Sequence, residues 1–147
     1  MTARPYPKYE DDHYGWLQAN IALLKSGNMN GIDTNNLIED LEDMARSDAR
    51  ELVNRLAQLI AHLLKWEYQP DFRGRSWSGT IDEQRNRLRR LVDENPSLKS
   101  RLDGMFPEAF KDSKAIIKKE TPIDLKLLPK ECPYTFEQCM DESFFPE

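Results

Sequence analysis

The chain has 147 residues, of which 39 % are hydrophobic and 32 % charged, and its formal net charge is −5. This length fits one domain, which can bury enough surface to fold without a disulfide or a structural metal. The acidic balance excludes general electrostatic binding to nucleic acid, although a local basic patch is compatible with it. Cys132 and Cys139 stand seven residues apart and match no zinc-binding spacing.

Nothing in the sequence is typical of export or membrane insertion. The N-terminal residues have no apolar segment resembling a signal peptide, and no run approaches the roughly 18 apolar residues of a membrane span. Two scattered thiols suit a reducing compartment. We therefore expect a cytoplasmic protein that has no membrane partner.

The first predicted helix runs from about Asp11 to Ser26. Its apolar residues recur at spacings of three and four, which defines one face of a helix: Tyr14, Leu17, Ile21 and Leu24. Asp11 or Asp12 can cap its start, and Gly27 can end it with a positive φ. We expect this apolar face to pack in a helical bundle.

The second predicted helix, about Asp33 to Gln69, is the longest. A core-width apolar stripe follows it: Ala45, Ala49, Leu52, Val53, Leu56, Leu59, Ile60, Leu63, Leu64 and Trp66. The pattern fits one long helix or two helices with a break near Ser47, and the sequence leaves both open. Pro70 ends the pattern, because a residue before proline avoids helical dihedral angles.

Two further helices are predicted, from about Ser78 to Glu94 and from Pro96 to about Ile117. Gly104 and Pro107 are expected to kink or split the second of these.

The termini, residues 1–9 and 121–147, are expected to be largely irregular, apart from one short helix with a capping box at Thr135–Gln138. The sequence therefore predicts an all-α fold in a single domain over residues 1–147. Its architecture is a helical bundle of four principal helices plus a short C-terminal helix.

Several short motifs occur in one order along the chain: Tyr9-Glu10-Asp11-Asp12, Leu63-Leu64-Lys65-Trp66-Glu67-Tyr68-Gln69-Pro70, Arg75-Ser76-Trp77, Thr80-Ile81-Asp82-Glu83-Gln84-Arg85, Pro96-Ser97-Leu98 and Cys132-Pro133-Tyr134-Thr135-Phe136-Glu137-Gln138. Together they resemble the bacterial domain of unknown function 29 family over nearly the whole chain. The resemblance implies a helical bundle encoded as a free-standing small protein. It implies no established activity, ligand or catalytic residue.

The segment from Trp66 to Arg90 combines four aromatic residues with six arginines. Both residue types are enriched where binding energy concentrates, and guanidinium groups bind carboxylates and phosphates bidentately. The hypothesis is an exposed binding face with a tryptophan scaffold beneath it, composed of Arg73, Arg75, Arg87 and Arg90 above Trp66 and Trp77. The alternative is a structural connection whose arginines pair with nearby acids, as the four-residue spacing of Glu83 and Arg87 allows.

We expect a protein-interaction module that binds a protein partner or a second copy of itself, without a cofactor. The sequence has no nucleophile elbow and no glycine-rich phosphate loop, so catalysis has little support. The first alternative is nucleic-acid binding through Arg73–Arg90. A continuous basic face would favour nucleic acid, whereas an arginine surface interrupted by acids would favour protein.

A second alternative is a metal-binding helical bundle that uses His13 or His62. The usual di-metal pattern pairs Glu and His three apart on two helices, and the sequence lacks it, so we expect no bound metal. The acidic run Glu39–Asp43 complements the dipole of a helix start, and a second use for it is docking a basic partner.

Overall fold

The structure, a computed structural model, describes residues 5–147. Its five α-helices are α1 (His13–Ser26), α2 (Thr34–Tyr68), α3 (Arg75–Glu94), α4 (Leu102–Glu120) and α5 (Phe136–Met140). The described part of the chain contains no strand, which confirms the prediction of an all-α bundle with four principal helices and a short fifth. The chain forms two compact units, Met1–Ser47 and Asp48–Glu147, with the boundary inside α2.

The first unit is a helical hairpin. The Asp12 side chain caps α1 by accepting from the Gly15 amide at 2.9 Å, and Gly27 ends the helix with φ 77°. Trp16 Nε1 donates to Asp33 Oδ2 at 2.9 Å, while His13 Nε2 lies 2.7 Å from Asp40 Oδ2. The earlier of these two α1 residues contacts the later of the two aspartates. The two helices therefore run antiparallel.

The predicted packing of the α1 apolar face is wrong. Tyr14 is 73 % exposed and Leu24 is 43 % exposed, and the side chains buried on this helix are Trp16 and Asn20. The Asn20 side chain explains why this face of α1 is buried. Its NH₂ group donates to the Trp16 carbonyl, and its oxygen accepts from the main-chain amide of Asp33. Burial of the indole and these polar contacts turns the smaller apolar side chains outward.

Helix α2 is unbroken over its 35 residues, so there is no interruption near Ser47. Its predicted stripe is buried from Leu52 onward, and Leu56 has no exposed surface. Ala49 is half-buried and packs against this core, whereas Ala45 is exposed, which contradicts its place in the predicted core. Every residue from 41 to 47 is exposed, so none of residues 5–147 covers the apolar side of this stretch.

The second unit holds the hydrophobic core, to which the later part of α2, α3, α4 and α5 contribute. Helix α3 begins at Arg75, three residues earlier than predicted, and ends at Glu94 as predicted. Its buried side chains, including Ile81 and Leu88, pack with the buried apolar residues of α2 in one cluster. The Tyr134 hydroxyl donates to the Leu63 carbonyl at 3.3 Å and ties the C-terminal segment to α2.

Gly104 and Pro107 were expected to kink or split the fourth helix, and the structure shows that they do not split it. A 3₁₀ helix spans Pro96–Arg101, and α4 then continues through both residues to Glu120. Pro107 is the sixth residue of α4, and because it has no N–H, the main-chain hydrogen bond from position 107 to the Asp103 carbonyl is absent. The C-terminal segment contains the 3₁₀ helix Leu125–Leu127 and α5, which has the predicted capping box at Thr135 and Gln138.

Candidate functional site

All four arginines of the predicted binding face are exposed: Arg73, Arg75, Arg87 and Arg90. Arg73 lies in the connection between α2 and α3, and the other three lie on α3. Arg87 and Arg90 are three residues apart and therefore neighbours on the helix surface. Arg75 is about 18 Å from Arg87 along the helix axis. None of the contacts described for residues 5–147 joins Arg73 to the α3 arginines.

Trp66 lies beneath the Arg73 guanidinium. Arg73 Nε donates to the Trp66 carbonyl at 2.7 Å, and its guanidinium carbon stands 5.4 Å from the centre of the indole ring. The same indole packs against Phe145, with ring centroids 4.9 Å apart. Arg73 also reaches the Pro146 carbonyl at 3.5 Å. Arg73 and Trp66 therefore have a structural role, because their contacts with Pro146 and Phe145 attach the C-terminal segment to the end of α2.

Trp77 is half-buried, and its cation–ring contact is with a lysine of α2. Lys65 Nζ lies 5.9 Å from the centre of the Trp77 indole and donates to Glu120 Oε2 at 2.5 Å. This hydrogen bond lowers the pKa of the Glu120 carboxyl. Lys65 is buried, whereas the Glu120 side chain is 44 % exposed, so the ion pair is a partly buried contact between α2 and α4.

The solvent side of α3 alternates between arginines and acids. Arg87 Nε donates to Glu83 Oε1 at 3.0 Å, and the exposed acids of this helix are Asp82, Glu83, Asp93 and Glu94. Arg75 and Arg90 have no carboxylate within 4.0 Å among residues 5–147. We call Arg75, Arg87 and Arg90 the α3 arginine face. Acids interrupt this face, so it is not a continuous basic surface.

The residue that the sequence reasoning missed is Arg85, which is fully buried. Its guanidinium donates to three main-chain carbonyls of the C-terminal segment, those of Cys139 at 2.6 Å, Glu142 at 3.4 Å and Phe144 at 2.7 Å. The guanidinium carbon also stands 5.3 Å from the centre of the Phe145 ring. A signal was present in the sequence, because Arg85 follows Ile81 by four residues and therefore shares its buried face.

The two histidines occupy different surroundings. His13 is exposed and pairs with Asp40, whose other oxygen accepts from the Tyr9 hydroxyl at 2.5 Å. That hydrogen bond raises the pKa of Tyr9 to about 12 and lowers the pKa of Asp40. His62 is buried with Nδ1 2.9 Å from the Gln58 carbonyl, and burial lowers its pKa.

A metal site has no geometric support in the described residues. Among residues 5–147, no group of three His, Cys, Asp or Glu side chains is placed to hold an ion. Both cysteines are free thiols, and burial raises the pKa of Cys132 and Cys139. The arrangement of His13 with Asp40 instead anchors the start of α1 to α2.

These features define an all-α protein whose helix α3 exposes interleaved arginines and acids. The chain belongs to the family described as Domain of unknown function DUF29, whose model matches residues 8–145. Comparison with curated proteins and comparison with solved structures each give no match. Among residues 5–147, no helix combines the length and the apolar character needed to cross a lipid bilayer.

Proposed function

We propose that this protein is a protein-interaction module that binds an acidic surface of its partner through the α3 arginine face. The observation that carries the proposal is that Arg75 and Arg90 are exposed and have no ion pair among residues 5–147, on a helix rich in acids. Guanidinium groups form bidentate hydrogen bonds with carboxylates, and arginine is enriched among the residues that dominate binding energy.

The interrupted charge pattern favours a protein partner over nucleic acid. A phosphate backbone carries regularly spaced negative charge, so it is repelled by exposed acids such as Asp82 and Asp93 on the same helix. A protein surface can place its own cations opposite these acids and its carboxylates opposite the arginines. A surface that carries both positive and negative charges can therefore discriminate between protein partners.

The test is affinity capture from native lysate with the wild-type chain and with Arg75→Glu/Arg90→Glu. Glutamate at position 75 lies in the first turn of α3, where the helix dipole favours it, so the variant should keep its helicity and melting temperature. We expect it to lose the captured protein. Because protein contacts carry the interaction, nuclease treatment of the lysate should leave capture by the wild type unchanged.

The matched control is Lys126→Glu/Lys130→Glu, which makes the same change in net charge at two exposed positions outside the α-helices. It should retain the partner. Equal loss of capture in both variants would show that net charge matters rather than the α3 arginine face. Capture that disappears on nuclease treatment would favour the nucleic-acid alternative.

A further inference from the structure

A groove in the second unit combines an apolar floor with a positively charged rim. It lies between α4 and the segment 130–132 and encloses about 500 Å³, which is within the size range of small-molecule sites. Its floor consists of Phe106, Pro107, Phe110 and Cys132. Because Phe110 is buried and Phe106 and Cys132 are half-buried, these side chains form a depression rather than a protruding patch.

Both walls of the groove are held by the core of this unit. Phe106 and Phe110 are four residues apart and therefore lie on one side of α4, where both pack in or against the core. The opposite wall, segment 130–132, is flanked by Leu128 and Tyr134, which are both buried in the same core. The groove is therefore pre-formed, as ligand sites usually are.

The charged side chains around the floor are mainly lysines. Three lysines and one acid line the groove: Lys111, Lys114, Lys130 and Glu131. The groove is thus positively charged, although the whole chain has a net charge of −5. None of these four side chains forms an ion pair within residues 5–147. Lys114 Nζ stands 4.6 Å from the centre of the Phe110 ring, so one ammonium group lies directly above the apolar floor.

We infer that this groove binds a small amphipathic anion, with its apolar chain on the Phe106–Phe110 floor and its anionic head group at the lysine rim. An uncharged apolar molecule would leave the ammonium groups without a counter-ion, and a cationic amphiphile would be repelled by them. A simple anion would leave the aromatic rings uncovered. A molecule with both parts gains charge-assisted hydrogen bonds from the lysines and burial of its methylene groups against the rings.

The Cys132 thiol belongs to the floor and reports on whether the groove is occupied. Burial raises its pKa, so the side chain is a protonated, weakly polar thiol that suits contact with an apolar chain. The other thiol, Cys139, is fully buried and does not line the groove. This inference does not rest on the α3 arginine face, since the two surfaces share no residue.

Alkylation of the full chain by N-ethylmaleimide, an uncharged reagent, tests the inference. Mass spectrometry measures the rate of modification at Cys132 and at Cys139 separately. Octanoate should slow modification of Cys132 in a saturable manner and leave Cys139 unaffected. Octyltrimethylammonium, which has the same chain and the opposite charge, should give no protection, and acetate should give none at the same concentration. Absence of protection by octanoate, equal protection by the cation, or equal slowing at both thiols would overturn the inference.

Two matched lysine variants locate the head group. Lys111→Gln/Lys130→Gln should weaken octanoate binding about tenfold and keep its helicity, because both side chains are exposed. The control Lys99→Gln/Lys126→Gln removes the same charge at two exposed positions outside the groove and should retain the wild-type affinity. Rates with and without octanoate are compared within each variant, so a change in the reactivity of Cys132 itself cancels. Equal affinities in the two variants would contradict the assignment of the rim.

Discussion

The guanidinium of Arg85 and the carbonyl of Phe144 are separated by 59 residues of sequence and joined by a hydrogen bond of 2.7 Å. Arg85 also donates to the carbonyls of Cys139 and Glu142. One side chain of α3 thus holds three successive points of the C-terminal segment within the second unit.

Replacing Arg85 by Met should destabilise the protein by about 2–4 kcal/mol, because buried carbonyls lose charged donors while the volume is retained. Urea unfolding followed by circular dichroism measures the loss. The C-terminal segment should also become sensitive to protease before the helices do. Arg89→Gln is the control, because Arg89 makes one exposed ion pair with Glu142 at 3.2 Å; it should cost less than about 1 kcal/mol. Equal costs would show that Arg85 does not act as an anchor.

Truncation of Leu56 to Ala should lower the free energy of unfolding by about 2–5 kcal/mol, since its side chain is fully buried in the core and leaves a cavity. Leu127→Ala, at an exposed leucine, should change it by no more than about 0.5 kcal/mol. Thermal and urea unfolding of both variants provide the comparison. An unchanged melting temperature for Leu56→Ala would mean that this side chain packs elsewhere.

Two glycine substitutions should act in opposite directions. Gly79 lies inside α3, and a Cβ added there would have no atom within 4 Å, so Gly79→Ala should stabilise the protein by about 0.5–1 kcal/mol. Gly27 ends α1 with φ 77°, where Ala is strained, so Gly27→Ala should destabilise it by about 1 kcal/mol. Melting temperatures of the two variants measured side by side test the sign, and a rise for Gly27→Ala would refute the cap.

His62 should make the protein less stable in mild acid. Its folded-state pKa is lowered by burial and by Lys65, although the Gln58 carbonyl and Glu120 oppose this. The unfolded chain takes up a proton near pH 6.5, which the folded chain resists, so stability is present above that pH and falls below it. Between about pH 7.5 and 5.5, the melting temperature of the wild type should therefore fall further than that of His62→Gln. Parallel profiles would show that another group controls the acid response.

Much of the fold could be predicted from the sequence, because helix boundaries depend on local signals. The Asp12 cap, the positive φ of Gly27 and the capping box at Thr135 are all formed. Periodicity also located the apolar residues of α2 that are buried from Leu52 onward. Periodicity does not show which apolar rows are covered by other elements, because that depends on the whole tertiary structure. That is why Tyr14 and Ala45 were wrongly expected in the core.

The candidate site was predictable only in part. Exposure of Arg87 and Arg90 follows from their place opposite the apolar row of α3, and the Glu83–Arg87 pair follows from their spacing. Arg85 was missed because a buried cation depends on acceptors from a distant part of the chain, and its three carbonyl partners have no sequence signature.

The anchoring of the C-terminal segment by Arg85 has a consequence for how this part of the molecule tolerates change. The three acceptors are main-chain oxygens, which every amino acid possesses. Substitutions at position 142 or 143 can therefore alter the chemical character of this surface while its path along α3 stays fixed. Because Arg85 of α3 fixes this path through main-chain contacts, new side chains can be introduced on the segment without changing the residues beneath it.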